Sequence, residues 1–308
     1  MVDGSKKHLS QLFFSTFVAS YFKPARMNFL LNYIPWSPDP VLFRLGSFEL
    51  RYYSLLFALG FIFGYIIILR LVKKEGEKPE LLDQFLMYVV VGTILGARLG
   101  HCIFYDWEYF SQHPLEIILP VQFEPEFQFT GFRGLASHGG AFGITAALLL
   151  LARKQKKSIF WYLDKLAVVV PLAGMFIRLG NLMNSEIVGE PTDLAWAFQF
   201  RLMSPHDGDP MEPRHPTQLY EAISYLAIFG FMFWYYAKRY GKVLEGQVFG
   251  VFFALLFFDR FLLEYTKINE GIGEDALINM GQILSIPFVL IGLYLAWSKN
   301  KPPTPKTT

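Results

Sequence analysis

The sequence predicts an all-α polytopic membrane protein. It has seven transmembrane helices, an outer amino terminus and an inner carboxyl terminus, with a small extracytoplasmic cap built from the longer outer loops. Three observations predict this. Apolar stretches of membrane-spanning length recur from Tyr53 to Trp297. Hydrophobic residues make up 53% of the chain against 18% charged, and mean hydropathy is +0.32, too apolar for a soluble chain of 308 residues. Lys and Arg gather in alternate connecting segments, the signature of the positive-inside rule.

Residues 1–39 read as an amino-terminal extension, 40–297 as the seven-helix domain and 298–308 as a basic cytoplasmic tail. Within the extension, Leu9–Phe22 is too short to span and reads as an interfacial helix, or as chain ahead of a later start at Met27. The pattern of a cleaved signal peptide is weak. The spans are expected at Tyr53–Val72, Gln84–Tyr105, His138–Ala152, Ile159–Met183, Gln218–Ala237, Gln247–Tyr265 and Met280–Trp297. The third is short against the roughly 20 residues a crossing needs. Pro171 and Pro287 fall inside spans and predict kinks or local unwinding. Alternating pieces at Phe123–Phe129 and Ala195–Leu202 predict short strands in the cap.

Orientation follows from charge. Arg70, Lys73, Lys74 and Lys78 crowd one loop; Arg153, Lys154, Lys156 and Lys157 another; Lys238, Arg239 and Lys242 a third; Lys299, Lys301 and Lys306 the tail. These face the cytoplasm. Asp106–Ser137 holds only Arg133 against five acids, and Lys267–Asn279 only Lys267. Lys6, Lys7, Lys23, Arg26, Arg44 and Arg51 would lie outside, against the rule.

Several function classes drop out. The net charge of +2 points to no particular partner and to no nucleic acid. The single cysteine, Cys102, precludes an internal disulfide or a cysteine metal cage. The chain has no HExxH, GxSxG, P-loop or GxGxxG string. No internal repeat is visible, which weighs against inverted-repeat transporters.

With this orientation the unusual polar residues converge on the outer half of the bundle. Tyr53 opens the first span, Arg98 and His101 close the second, and Ser137-His138-Gly139-Gly140 opens the third. Arg178, Asn181 and Asn184 end the fourth, with Glu186 and Gly189 just beyond; His215, Gln218, Tyr220 and Glu221 open the fifth; Arg260 and Glu264 end the sixth. Ionised groups in apolar runs are costly, and two arginines at one membrane face suit an anionic headgroup. Each residue also has a plain structural reading. Arg178 either serves a ligand or snorkels to the interface while Asn181 caps the helix. Arg260 and Glu264, four apart, either neutralise one another or hold the arginine ready. His138 is either a proton acceptor or a structural histidine. Arg98 lies in the Gly92–Gly96–Gly100 stripe of a close helix contact and either binds a loop carbonyl or the ligand.

These strings resemble the prolipoprotein diacylglyceryl transferase family of bacteria. Arg178-Leu179-Gly180-Asn181-Leu182-Met183-Asn184-Ser185-Glu186-Ile187-Val188-Gly189 follows the family form G-R-x-G-N-F-x-N-x-E-x-x-G, with Ile177 for the leading glycine and Leu182 for phenylalanine. Arg51-Tyr52-Tyr53-Ser54, with Ser54 for glycine, Gly96-Ala97-Arg98-Leu99-Gly100, His138-Gly139-Gly140, Arg214-His215-Pro216-Thr217-Gln218-Leu219-Tyr220-Glu221 and Arg260-Phe261-Leu262-Leu263-Glu264 come in the family's order. The resemblance implies a multi-pass enzyme of the bacterial inner membrane. It moves the diacylglyceryl group of phosphatidylglycerol onto the lipobox cysteine thiol of a prolipoprotein, forming a thioether and releasing glycerol phosphate, with its site toward the extracytoplasmic leaflet. The family's functional positions fall on Tyr53, His138, Arg178, Asn181, Glu186, Gly189, Arg260 and Glu264; Arg98 and His215 join the expected lipid-binding set. No metal, nucleotide or redox cofactor is called for. The alternative is a membrane transporter for an anionic solute, which would place its arginines near the midplane.

Overall fold

A computed structural model describes residues 33–298 except 47, 120, 124–125, 130–133, 135, 240–244 and 269–277. The predicted interfacial segment Leu9–Phe22, the alternative start at Met27 and the basic tail lie outside the described residues. The described chain is mostly helical: α1 (Tyr52–Lys74), α2 (Pro79–Phe104), short α3 (Trp107–Gln112) and α4 (Pro114–Ile118), α5 (Ser137–Gln155), α6 (Ile159–Asn184), α7 (Thr217–Lys238), α8 (Gln247–Leu263) and α9 (Met280–Ser298). Each segment expected to span is therefore a helix. Four of them, α1, α2, α6 and α9, are long and apolar enough to cross a membrane.

Local chemistry sets the helix ends. Lys73 and Lys74 close α1, where the negative end of the helix dipole favours cations. Ser158 caps α6, its hydroxyl accepting from the Phe160 amide at 3.2 Å. Asn279 and Gln282 cap α9 reciprocally: each side-chain oxygen accepts the other's amide, at 2.9 and 3.0 Å. The cap of α8 comes from another helix. The Asp164 carboxylate on α6 accepts from the Gly246 and Phe249 amides at 2.7 and 2.8 Å. Pro171 and Pro287 sit inside α6 and α9, and both helices continue through them without the unwinding the sequence suggested.

The helices pack as close pairs: α2 with α5, α8 with α9, and α6 with both α1 and α7. The α2–α5 contact is backbone on backbone. A Cβ on Gly96 would collide with the Gly139 carbonyl, and one on Gly139 with that of Gly96, so the glycine stripe has the packing role it suggested. The main core, including Val72, Phe85, Leu148, Tyr162, Met232 and Val248, fills the halves of the helices nearest the α1–α2, α5–α6 and α7–α8 connections. Large apolar side chains cover the outside as well, among them Phe104, Phe142, Ile223, Leu290 and Tyr294. That greasy exterior is the surface of a protein solvated by lipid.

A small cap covers the opposite end. Strand β1 (Ile34–Trp36) pairs in parallel with β6 (Phe198–Phe200). Strands β2 (Val41–Leu45) and β3 (Phe48–Arg51) form an antiparallel hairpin that runs straight into α1, and β4 (Val121–Gln122) pairs with β5 (Gln128–Phe129). Strands were expected near 123–129 and 195–202; they are shorter, and those before α1 had no sequence signal. Leu182, Val188, Phe198, Phe200 and Met203 make a second core under this cap. The Trp36 indole donates to the Leu182 carbonyl at 2.8 Å, which fastens β1 to the end of α6.

Candidate active site

The last two turns of α6 carry Arg178 and Asn181 on one face. The helix then stops on Ser185, in the left-handed region at φ 55, and Ile187 is left-handed as well at φ 58. For a β-branched residue that is a strained conformation, of a kind that persists where surrounding contacts over-determine it. The double reversal folds Glu186 back under the helix. Its amide donates to the Asn181 carbonyl at 3.0 Å. Its carboxylate accepts from Asn181 Nδ2 at 3.2 Å and from Asn184 Nδ2 at 3.1 Å. Gln218 Nε2 donates to the Glu186 carbonyl at 2.6 Å. Gly189 closes the turn: its amide donates to the His215 carbonyl at 3.1 Å. A Cβ there would press on Thr217, His215 and the Thr266 carbonyl, so three segments meet where only glycine fits.

The charges form a second layer. Glu221, 2% exposed on α7, lies between two cations: Arg178 Nε at 2.8 Å and Lys267 Nζ at 2.9 Å. Lys267 also reaches Glu264 at 3.5 Å. Glu264 packs against Gly281 at the start of α9, where any side chain would displace it. The adjacent Ser224 hydroxyl donates to Asp259 at 2.9 Å and ties α7 to α8.

Arg178 pairs with Glu221, because α6 packs on α7 while Glu186 is engaged by its two asparagines. One sequence expectation is corrected here: Glu264 pairs with Lys267 rather than with Arg260. Arg260 is exposed and forms no ion pair among the described residues. Glu221, the hub of the network, stood among the converging polar residues but not among the expected ligands, and Lys267, its second cation, was in neither group. The signal available was a glutamate in the first turns of an apolar helix and a lone lysine in a connection whose other charges, Glu270, Glu274 and Asp275, are all acidic.

The remaining expected residues fall into two groups. Tyr53, at the start of α1, packs on Gly180, and the charges acting on its phenol are Glu186 and Arg178, so it belongs to the cluster. His215 backs Gly189, with its Nδ1 3.3 Å from the Tyr220 hydroxyl; burial holds its pKa below the usual histidine value, partly offset by Glu190. Arg98 has a different task. It is buried, donates to the Glu116 and Ile117 carbonyls at 2.6 and 3.2 Å and stacks 4.6 Å over Phe110. It clamps α4 onto α2. His138 is exposed in the first turn of α5, and no hydrogen bond or ion pair among the described residues joins it to the Arg178 cluster.

Among the described residues six buried polar atoms of the cluster make no hydrogen bond: Oδ1 of Asn181 and Asn184, the Ser185 hydroxyl, Gln218 Oε1, and Glu221 Oε2 and Glu264 Oε2, the last two held only in their ion pairs with Arg178 and Lys267. The Arg178–Glu221 contact is thus an ion pair whose N–H is not aimed at the oxygen. Buried orphans of this kind are rare, and they gather here around two cations. The arrangement suits a ligand that is anionic at one end and brings hydroxyl donors at the other.

Comparison with known proteins agrees. The model of the prolipoprotein diacylglyceryl transferase family matches residues 40–298. A phosphatidylglycerol–prolipoprotein diacylglyceryl transferase of Bacteroides fragilis is 43% identical over 278 residues, 89% of this chain and 98% of the relative. Its namesake from Tolumonas auensis is 42% identical over 262 residues, 84% of this chain and 95% of the relative. That of Porphyromonas gingivalis is 43% identical over 276 residues, 85% of this chain and 93% of the relative. The chain belongs to the prolipoprotein diacylglyceryl transferase family.

Proposed function

We propose that this chain is a membrane enzyme that transfers the diacylglyceryl group of phosphatidylglycerol to the lipobox cysteine of a prolipoprotein. One observation carries the reading beyond family membership: cations and orphaned acceptors lie side by side. Arg178 and Lys267, joined on Glu221, suit a phosphate, while Asn181, Asn184, Ser185 and Gln218 offer free acceptors to the two hydroxyls of a glycerol headgroup. Phosphatidylglycerol carries both, in adjacent positions.

The reaction breaks the carbon–oxygen bond between the diacylglyceryl carbon and the phosphate. The cysteine thiol gives up its proton, its sulfur attacks that carbon, and the electron pair of the broken bond leaves on glycerol phosphate. Arg178 and Arg260 hold the phosphate and meet the charge that grows on it. Cations already in place need no reorganisation at that moment. Asn181 and Glu186 place the glycerol head, and Glu264 steadies the cationic side through Lys267. Tyr53 donates to an ester or phosphate oxygen. His138 takes the thiol proton. Gly189, with His215 behind it, keeps the turn closed.

The proposed setting is a bacterial cytoplasmic membrane crossed seven times, with the cap and site on the extracytoplasmic side. Arg70, Lys73 and Lys74 end α1, Arg153 and Lys154 end α5, and Lys238 and Arg239 follow α7, all at the end away from Arg178. The domain spans 40–297.

The test combines purified protein, phosphatidylglycerol vesicles and a lipobox peptide. A peptide mass gain of one diacylglyceryl group is the expected result. An unmodified peptide, or solute uptake in its place, overturns the reading. Topology is checked separately with an impermeant thiol label. Glu190→Cys should react from outside and Lys154→Cys should not.

A further inference from the structure

A cavity of about 210 Å³ lies between α1, α2, α5 and α6, apart from the polar cluster, and its walls are almost wholly apolar. It runs along α1 from Phe57 to Ile68, along α2 from Thr93 to Leu82 and along α6 from Ile177 to Leu166. Each stretch is eleven residue steps, about 16 Å at the rise of a helix. That is about half the roughly 30 Å hydrocarbon core, the depth of one leaflet. The upper end is lined by Ile177, next to Arg178 in the chain, and by Phe57, which stacks on Tyr53 with centroids 6.4 Å apart. The lower end closes on Phe85, edge-on to Tyr162 at 5.1 Å, and below it lies the Glu75–Lys165 ion pair.

Gly64 faces this space. A Cβ there would stand 3.8 Å from Val169, an ordinary contact, so no close helix approach requires the glycine. Gly60, one turn above, differs: its Cβ would come within 3.3 Å of the Ala173 backbone. A glycine inside a helix weakens it. What the missing side chain of Gly64 provides is room.

We propose, on the transferase reading above, that the cavity holds one acyl chain of the diacyl donor and that Gly64 and Ile68 set how long a chain it accepts. The occupant follows from three features: the apolar walls, the one-leaflet depth and an upper end whose lining residues Ile177 and Phe57 adjoin Arg178 and Tyr53. A leucine at position 64 would shorten the channel midway. An alanine at position 68 would deepen it.

The experiment offers the lipobox peptide a mixture of dioctanoyl and dipalmitoyl phosphatidylglycerol and weighs the products. Gly64→Leu should lower the long-to-short ratio of kcat/KM by about tenfold, because a few methylenes lose their burial. Use of the dioctanoyl donor should stay near wild type. Ile68→Ala should move the ratio the other way. Gly230→Leu, at an exposed helix position with open space around it, should leave the ratio unchanged. A ratio unmoved by Gly64→Leu, or both donors falling together, overturns the proposal. If Gly64→Leu does not fold by thermal melting, Ile68→Ala decides, and an unchanged ratio there overturns it. If the wild type transfers from neither donor, the transferase reading fails instead. The cavity is then judged on the chain lengths of phosphatidylglycerol retained by wild type and Gly64→Leu, and identical profiles overturn it.

Discussion

Two buried ion pairs stand at opposite ends of α6, and they are built on different principles. At the amino-terminal end, Lys165 Nζ lies 2.8 Å from Glu75, 4.0 Å over the Trp161 ring and 5.7 Å over that of Tyr236. Glu75 also accepts from the Trp161 indole at 3.1 Å and from the Tyr236 hydroxyl. The charge is closed on every side by the protein itself. At the carboxyl-terminal end, Glu221 holds two cations, yet four neighbouring polar atoms, on Asn181, Asn184, Ser185 and Gln218, find no partner among the described residues, and the turn beside them is strained. A buried network that satisfies itself fixes a fold; one left incomplete is arranged for something else to complete it.

That contrast is best broken by substitution. Arg178→Ala should have the largest effect: transfer falls by about 10²–10³-fold, the loss typical of one pre-placed donor at a developing anion. Detergent-solubilised protein should still melt cooperatively near the wild-type temperature. Wild-type turnover would remove Arg178 from the site. Lys165→Met should do the reverse. It strands a buried carboxylate and should cost about 3–5 kcal/mol of stability, seen as a lower melting temperature, with little change in kcat for the folded fraction. A large kcat defect at unchanged stability would erase the distinction between the two ends.

Glu221→Gln sharpens the comparison. It keeps the shape of the hub and removes its charge, so Arg178 and Lys267 lose their fixed positions. Transfer should fall by about tenfold, mainly in kcat, as expected for geometry lost at the reacting centre. Ser185→Gly is the smallest test. Glycine suits the left-handed position and removes an orphaned hydroxyl, so stability should rise by up to about 1 kcal/mol. A simultaneous drop in transfer would assign that hydroxyl to the lipid headgroup.

Much of this was legible in the sequence because hydropathy is a local property. The helices from Tyr52 to Ser298 lie within a few residues of their apolar runs, and the arginine and asparagine of α6 share a face by spacing alone. Partner choice was not legible. Glu186 and Glu264 are near in sequence to Arg178 and Arg260, but the carboxylate that meets Arg178 comes from α7, and only the packing of α6 on α7 makes that choice. Strand β1 was invisible for the same reason: three residues carry no periodicity, and their partner, β6, lies far along the chain. For Arg98 the plain reading held. Its guanidinium is used on carbonyls of its own loop, where the glycine stripe had already marked a packing surface.

The glycine-on-glycine seam of α2 and α5 has a mechanical consequence. Two helices whose backbones touch behave as one stiff panel, and this panel leans on the rest of the bundle through far fewer atoms than join its own halves. Thermal breathing separates the weakest boundary first. In this molecule that boundary borders the apolar channel, so the channel lies along the most sparsely joined seam of the bundle.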